Sequence, residues 1–356
     1  MWVGLVIYGS LATRSGGYYY DRRLVAHLQA AGDTVEIVSL PWRNYPRHLL
    51  DNLSQGWWRR LEALNVDVLL QDELNHPSLA WVNARLRGRY PIIAIVHHLR
   101  SSEMWPGWQR GVYRAVERRY LRSVDGLVFN SQQTKAEVQA LSGESKPGVV
   151  AVPAGDRFAV TMDADEIGQR AQAQGPLRVV FVGNLIPRKG LETLLAAVRQ
   201  LPPGCVTVAV IGRQDVDAGY VQRVRRQIAA PGLDQVVTLT GELSDAALTE
   251  QLRQSHVLVV PSQYEGFGIV YLEAMGFGLP AIGSTAGAAG EIITPGVDGW
   301  LIAPGDAVTL AGYLRQLADD RAGLARMGRA ARARFERHPT WDDSMERVRQ
   351  FLVEQV

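Results

Sequence analysis

The chain has 356 residues, 47% of them hydrophobic and 21% charged, with a net charge of +2. That composition excludes a disordered or fibrous protein, and the length suggests two domains of roughly 100–200 residues each. The single cysteine, Cys205, excludes an intrachain disulfide, a CxxC redox pair and a Cys-rich metal cluster, and fits a reducing, cytoplasmic location.

Short β-branched runs alternate with longer amphipathic stretches along the whole chain, the pattern of βαβ units with parallel sheets, so the fold class is α/β. In the first half the predicted strands are WVGLVIY, TVEIVSL, VDVLLQ, PIIAIVHH, GLVFN and GVVAVP; in the second they are LRVVFVG, VTVAVIG, VVTLTG, HVLVVP, LPAIG and GWLIA. Helices are predicted over Tyr19–Ala31, ending in Ala-Gly-Asp, and over Gly190–Leu201, ending before Pro-Pro-Gly. The expected division is a first Rossmann-like domain over 1–156, a polar linker over 157–177, a second Rossmann-like domain over 178–335 and a terminal helix over 336–356. Trp341, Met345, Val348 and Leu352 share one face of that helix, which needs a surface to pack on, the first domain being one candidate. The opening MWVGLVIYGSLA lacks the basic flank of a cleaved signal, and no apolar run reaches the ~18 residues of a membrane span.

In SGGYYYDRR, Gly16 and Gly17 are expected to form the turn from the first strand into the first helix, at the sheet edge where open α/β folds bind ligands. The full GxGxxG pattern and its downstream acid are missing, which argues against a nicotinamide enzyme. His97 and His98 end the strand PIIAIVHH; neighbouring strand residues point opposite ways, so one of the two is expected to face a ligand. In FVGNLIPRKGLETLL, Arg188 and Lys189 sit between a strand and a helix, where they can neutralise phosphate oxygens or simply form an exposed charge pair. The spacing is not that of a Walker loop.

The segment PSQYEGFGIVYLEAMGFG separates Glu265 from Glu273 by seven residues. A helix starting near Gly268 would turn its free N–H groups and positive dipole end towards a diphosphate, and Gly266 and Gly268 would let a ligand approach the backbone. Glu273 would then lie roughly 7–12 Å along the axis from Glu265, a separation suited to two parts of one long ligand. A buried helix with incidental glutamates has the same spacing. The acidic pairs Asp163/Asp165 and Asp215/Asp217 mimic DxD metal sites but fall in polar stretches and read as solvated acids; no metal or cofactor is expected.

Taken together, these segments resemble the family 4 glycosyltransferases, over nearly the whole chain and including PAGDRF, where the family usually has Pro-Asn-Gly, and GVDGWLIAPGD. The resemblance implies two Rossmann-like domains facing across a cleft, the GT-B arrangement. It also implies a nucleotide diphosphate sugar as donor, bound mainly by the second domain, and retention of its anomeric configuration. It implies that Lys189, with Arg188 beside it, meets the diphosphate, that Glu265 lies by the hexose and that Glu273 grips the ribose. The donor would also meet Gly183, Gly266, Ile269 and the backbone of Phe267 and Gly268, with Gly17 near the diphosphate and His97 near the reaction centre. His97, Lys189 and Glu265 are thus the expected catalytic residues. Many members have Gly-Arg where this chain has Gly183-Asn184, so Arg188 is the candidate replacement for a missing cation. A nucleotide-sugar epimerase and a non-catalytic nucleotide-sugar-binding protein are the alternative functions.

Residues 1–150 carry about five excess positive charges and seven of the nine tryptophans precede residue 110. The stripe Trp108, Val112, Val116 and Tyr120, beside Arg110, Arg114 and Arg118, together with Trp57-Trp58-Arg59-Arg60, would suit peripheral binding to an anionic inner membrane face and a lipid-linked acceptor. A solvated basic helix explains the same pattern. Nucleic acid is not an expected partner, and glycans and small molecules remain open as acceptors.

Overall fold

A computed structural model describes residues 1–159 and 162–356. The chain divides into two compact units, Met1–Pro153 with Pro339–Val356, and Ala154–His338. In the first, β1 (Trp2–Tyr8), β2 (Thr34–Leu40), β3 (Val68–Asp72), β4 (Ile92–Val96), β5 (Gly126–Phe129) and β6 (Gly148–Val150) form a parallel sheet in the order β2-β1-β3-β4-β5-β6. Strands β3, β4 and β5 are buried at every residue, which is why they read as unbroken apolar runs: helices cover both faces of such a sheet.

The second unit repeats the architecture with β7 (Leu177–Val182), β8 (Val206–Ile211), β9 (Val237–Gly241), β10 (Val257–Val259), β11 (Ala281–Ser284) and β12 (Gly299–Ile302), ordered β12-β11-β10-β7-β8-β9 and again parallel. In each sheet the strand order reverses once, between β1 and β3 and between β7 and β10. Open α/β sheets gather ligand-binding residues outside the carboxyl ends of the strands at such points.

Three local outcomes differ from the sequence expectations. Gly16 and Gly17 do not make the turn after β1; they begin the helix Gly16–Ala30, because Ser15 caps it by accepting from Tyr18 N. The stretch expected as a linker contains the helix Ala164–Gln172, closed by a capping box between Asp163 and Glu166 and packed on the helix Arg321–Glu336 within the second unit. Only Ile167, Gly168 and Ala171 are buried on it, too short a stripe to register as periodicity. Val160 and Thr161 of that stretch lie outside the described residues. The boundary between units accordingly falls at Pro153/Ala154.

The helix Trp341–Val353 belongs to the first unit and buries Trp341, Met345, Val348 and Leu352. Trp341 meets Tyr19 and Tyr20 edge-on, and Arg349 donates to Asp33 at 2.7 Å. Among the described residues no helix is long and apolar enough to cross a membrane.

Candidate active site

In the second unit the two loops that leave β7 and β10, the strands flanking the reversal, carry the residues singled out by sequence. The loop after β7 ends in the short turn Pro187–Lys189 and then Gly190, whose φ of +72° admits glycine readily. A Cβ there would also overlap the carbonyl oxygen of Pro261 in the loop after β10, so glycine lets the two loops touch. Gln263 N donates to Arg188 O at 2.7 Å, locking them together.

That contact brings Lys189 Nζ to 2.6 Å from Glu265 Oε2, which also accepts from Ser262 Oγ at 3.1 Å. Arg188 Nη1 donates to Tyr264 O at 3.1 Å and lies 4.0 Å from Glu265 Oε1. Burial by itself would raise the Glu265 pKa, but the Lys189 and Arg188 charges and the hydrogen bonds from Lys189 and Ser262 hold it at about 2. Burial, aided by the Arg188 charge, pushes the Lys189 ammonium below its usual range against the pull of Glu265. The result is a buried ion pair flanked by a second cation. Gly183 runs alongside the Lys189 stem, where a Cβ would sit 3.5 Å from Cγ and Cδ.

The helix Ile269–Gly276 starts beside this pair. Its N-cap, Gly268, has a φ of +97° and no side-chain cap bond, leaving first-turn N–H groups without a side-chain acceptor from the cap. A Cβ at Gly268 would overlap the Tyr271 ring, whose hydroxyl is tied to Val260 O at 2.7 Å. The backbone of Glu265 is clamped in turn: Glu265 N donates to Ala286 O at 3.1 Å and Ala288 N donates to Glu265 O at 2.9 Å. Phe267 is buried, so the polar groups it offers are those of its backbone, while Ile269 is half-buried. Glu273, on the second turn, is buried, and burial raises its pKa to about 7 although the Arg157 charge opposes this.

The same reversal in the first unit gathers the opposite charge. Asp21 on the first helix, Asp72 at the end of β3 and His97 just beyond β4 place ligand atoms within 4.8 Å of one another. His97 Nε2 lies 3.2 Å from Asp21 Oδ1, and its carbonyl accepts from Asn130 Nδ2 at 2.6 Å. Burial pushes the imidazole pKa down, but the hydrogen bond to Asp21 and the charges of Asp21, Asp72 and Glu73 lift it to about 8. Asp72 is raised to about 7 by burial and by the Asp21 charge. Gly17 lies against the ring, where a Cβ would come 3.0 Å from His97 Cδ2. His98 turns aside to Glu103, at 3.1 Å.

A second buried group, Glu73, His76 and Glu117, also offers ligand atoms within 4.8 Å. The Arg100 charge acts on Glu73 and His76 there, so a cation already stands beside it. The DxD look-alikes have local roles. Asp163 and Asp217 cap helices, and Asp215 pairs with Arg213 at 2.9 Å.

Sequence reasoning missed Ser262, Asp21, Asp72 and Arg157. Ser262, Arg157 and Asp21 stand inside segments already singled out, PSQYEG, PAGDRF and SGGYYYDRR, whereas Asp72 carried no motif. In the tryptophan-rich surface, Trp108 and Val112 are exposed but Val116 and Tyr120 are core, and Trp57 and Trp58 pack against the core with Arg60 and Arg85 over their rings.

A family model described as Glycosyl transferases group 1 matches residues 163–334, and one described as Glycosyltransferase Family 4 matches residues 11–155. The chain is 29% identical over 262 residues to a glycogen synthase of Mycobacterium tuberculosis, covering 70% of this chain and 60% of that protein. It is 29% identical over 288 residues to a GDP-mannose-dependent monoacylated alpha-(1-6)-phosphatidylinositol monomannoside mannosyltransferase of Corynebacterium glutamicum, covering 76% of this chain and 71% of that one. Among solved structures, sucrose-phosphate synthase from Thermosynechococcus elongatus superposes with a TM-score of 0.84 at 23% identity, covering 99% of this chain and 98% of that chain. Anabaena HepE in complex with UDP-glucose does so with a TM-score of 0.79 at 19% identity, covering 99% and 100%.

Proposed function

The chain belongs to the family 4 glycosyltransferases, with the GT-B fold, and from that membership we propose that it moves a hexose from a nucleotide diphosphate sugar to an acceptor. The observation that carries this reading is the Lys189–Glu265 pair at the reversal of the second sheet, beside a helix N-terminus without a side-chain cap. Cleaving a sugar–phosphate bond builds negative charge on the departing diphosphate, and fixed positive groups aimed there are the largest catalytic lever available. Lys189, Arg188 and the N–H groups at the start of Ile269–Gly276 supply it with no metal required. Glu265 keeps the ammonium in place and faces the hexose, and Glu273 takes the ribose.

Glu265 precedes the helix Ile269–Gly276 and Glu273 lies on its second turn, an arrangement that suits two parts of one long ligand rather than the paired carboxylates about 5–5.5 Å apart of a double-displacement glycosidase. The family resemblance implies retention, and with it attack of the acceptor hydroxyl on the face the diphosphate leaves. The C1–O bond to phosphate breaks as the acceptor oxygen bonds to C1, and the acceptor proton passes to the leaving phosphate. Relatives named for GDP-mannose and a neighbour solved with UDP-glucose support both uracil and guanine donors as candidates. The exposed Met104, Trp108 and Val112 beside exposed Arg110, Arg114 and Arg118 favour a lipid-linked acceptor at an anionic membrane.

A thermal-shift panel of UDP- and GDP-sugars, followed by nucleotide release with and without acceptor, tests the reading. One donor is expected to raise the melting temperature with concentration, and its nucleotide to be released only with acceptor and equally well in EDTA. Release without any acceptor would favour a hydrolase, an epimeric nucleotide sugar formed without release an epimerase, and stabilisation with neither a binding protein.

A further inference from the structure

The stretch AGDRF, residues 154–158, opens the second unit by running against the helix that carries Glu273. A Cβ at Gly155 would lie 2.7 Å from the Leu272 carbonyl carbon and 2.9 Å from Glu273 N, so the absence of a side chain there allows this approach. Two residues on, Arg157 Nη1 stands 3.8 Å from Glu273 Oε1. The guanidinium is held in that position from two other sides: Nη2 donates to Asp245 Oδ1, and the group lies 4.9 Å over the Phe158 ring. At 3.8 Å this pair exceeds hydrogen-bond length, so it lends charge to Glu273 without taking up an acceptor position on it.

We propose that Arg157 is a positioning residue for the donor, holding the Glu273 carboxylate charged and in place to accept the ribose hydroxyls. This rests on the reading of Glu273 as the ribose-binding residue. A carboxylate accepts from two vicinal hydroxyls at once, whereas the protonated acid gives up an acceptor position and presents a donor instead. Burial pushes the Glu273 pKa to about 7, with Arg157 pulling it down and Asp245 pushing it up. Among the described residues, the other charged groups that meet this helix stand at its ends. Arg332 donates to Gly276 O and Arg170 to Phe277 O and Gly278 O beyond the carboxyl end, and Lys189, Arg188 and Glu265 lie at the amino end. Arg157 is thus, among the described residues, the cation beside the carboxylate.

The test is calorimetric binding of UDP and GDP from pH 6 to pH 9 to the full chain and to Arg157→Met, Arg157→Gln, Arg157→Lys and Glu273→Gln, with melting curves to identify folded variants. Wild type is expected to bind one nucleotide, more tightly as the pH rises through about 7. Arg157→Met or Arg157→Gln should weaken binding about tenfold at pH 7 and move the midpoint up by about one unit, the deficit closing towards pH 9. Arg157→Lys should restore the wild-type profile. An equal loss at every pH, or failure of lysine to rescue, overturns the inference while leaving the ribose assignment standing. If wild type binds neither nucleotide, or Glu273→Gln keeps wild-type affinity and pH dependence, the assignment of Glu273 fails and the inference falls with it.

Discussion

The two units use one scaffold to opposite electrostatic ends. Where the second sheet reverses, between β7 and β10, the loops deliver Lys189 and Arg188 around a carboxylate held ionised at Glu265. Where the first sheet reverses, between β1 and β3, the same kind of edge gathers Asp21, Asp72 and Glu73 around an imidazole they keep protonated. The sheet decides where polar groups collect, because there strand ends and helix starts leave backbone and side chains unpaired with the core. The loops decide the charge. The cationic site suits a diphosphate and the acidic one holds a single positive histidine, a division of labour that mutation can break.

The largest effect is expected at Lys189. Lys189→Ala should lower turnover by roughly 100- to 1,000-fold, measured as acceptor-dependent nucleotide release on protein that melting curves show to be folded, with a lower melting temperature because the buried Glu265 carboxylate loses its ion-pair partner. Near-normal turnover would remove the cationic half of the comparison. Next is Glu273, whose pKa rises on folding from 4.5 to about 7. Such a group lowers stability progressively as the pH climbs through that window, by on the order of 3 kcal/mol at pH 8. Glu273→Gln should therefore raise the melting temperature at pH 8, with the gain shrinking towards pH 5, even as it weakens donor binding.

In the first unit, His97 rises from 6.5 to about 8, and the stability this contributes, about 2 kcal/mol, is full below pH 6.5 and lost as the pH passes 8. Asp21→Asn should cost more stability at pH 6 than at pH 9 and move the His97 midpoint, followed by NMR, downwards. An unmoved midpoint would show that the acidic half does not set the histidine's charge. The smallest effect concerns the exposed basic face of Gly107–Ser123. Co-sedimentation with anionic liposomes at low salt should fall severalfold in Trp108→Ser and in Arg114→Glu, and absence of wild-type binding would dismiss a membrane-bound acceptor.

Much of the second site was legible because its residues lie in contiguous stretches. Glycines at 190 and 268, each with positive φ, mark turns where a backbone must approach another chain segment, and the charged residues sit beside them in sequence. The first site was legible only at His97 and Gly17, since Asp21 and Asp72 are acids far apart in sequence that become a cluster when the first helix meets the ends of β3 and β4. The helix Ala164–Gln172 was hidden by its brevity, although the Asp163-x-x-Glu166 capping signal was present. On Gly107–Ser123 the apolar stripe was real, but periodicity could not say that Trp108 is left outside while Tyr120 is buried.

The sequence by itself determined the twelve strands and their parallel, helix-covered character, because side-chain periodicity and turn chemistry are local. It also determined the candidate donor residues, because their spacing is short. Tertiary structure decided the order of the strands, the return of Trp341–Val353 to the first unit and the partners of each charge: Lys189 with Glu265, His97 with Asp21, Arg157 with Glu273. Those pairs join residues 116, 76 and 76 positions apart in the case of Arg157–Glu273, Lys189–Glu265 and His97–Asp21. A pKa or an ion pair depends on burial and on charges a few ångströms away, and neither quantity exists until the chain has folded.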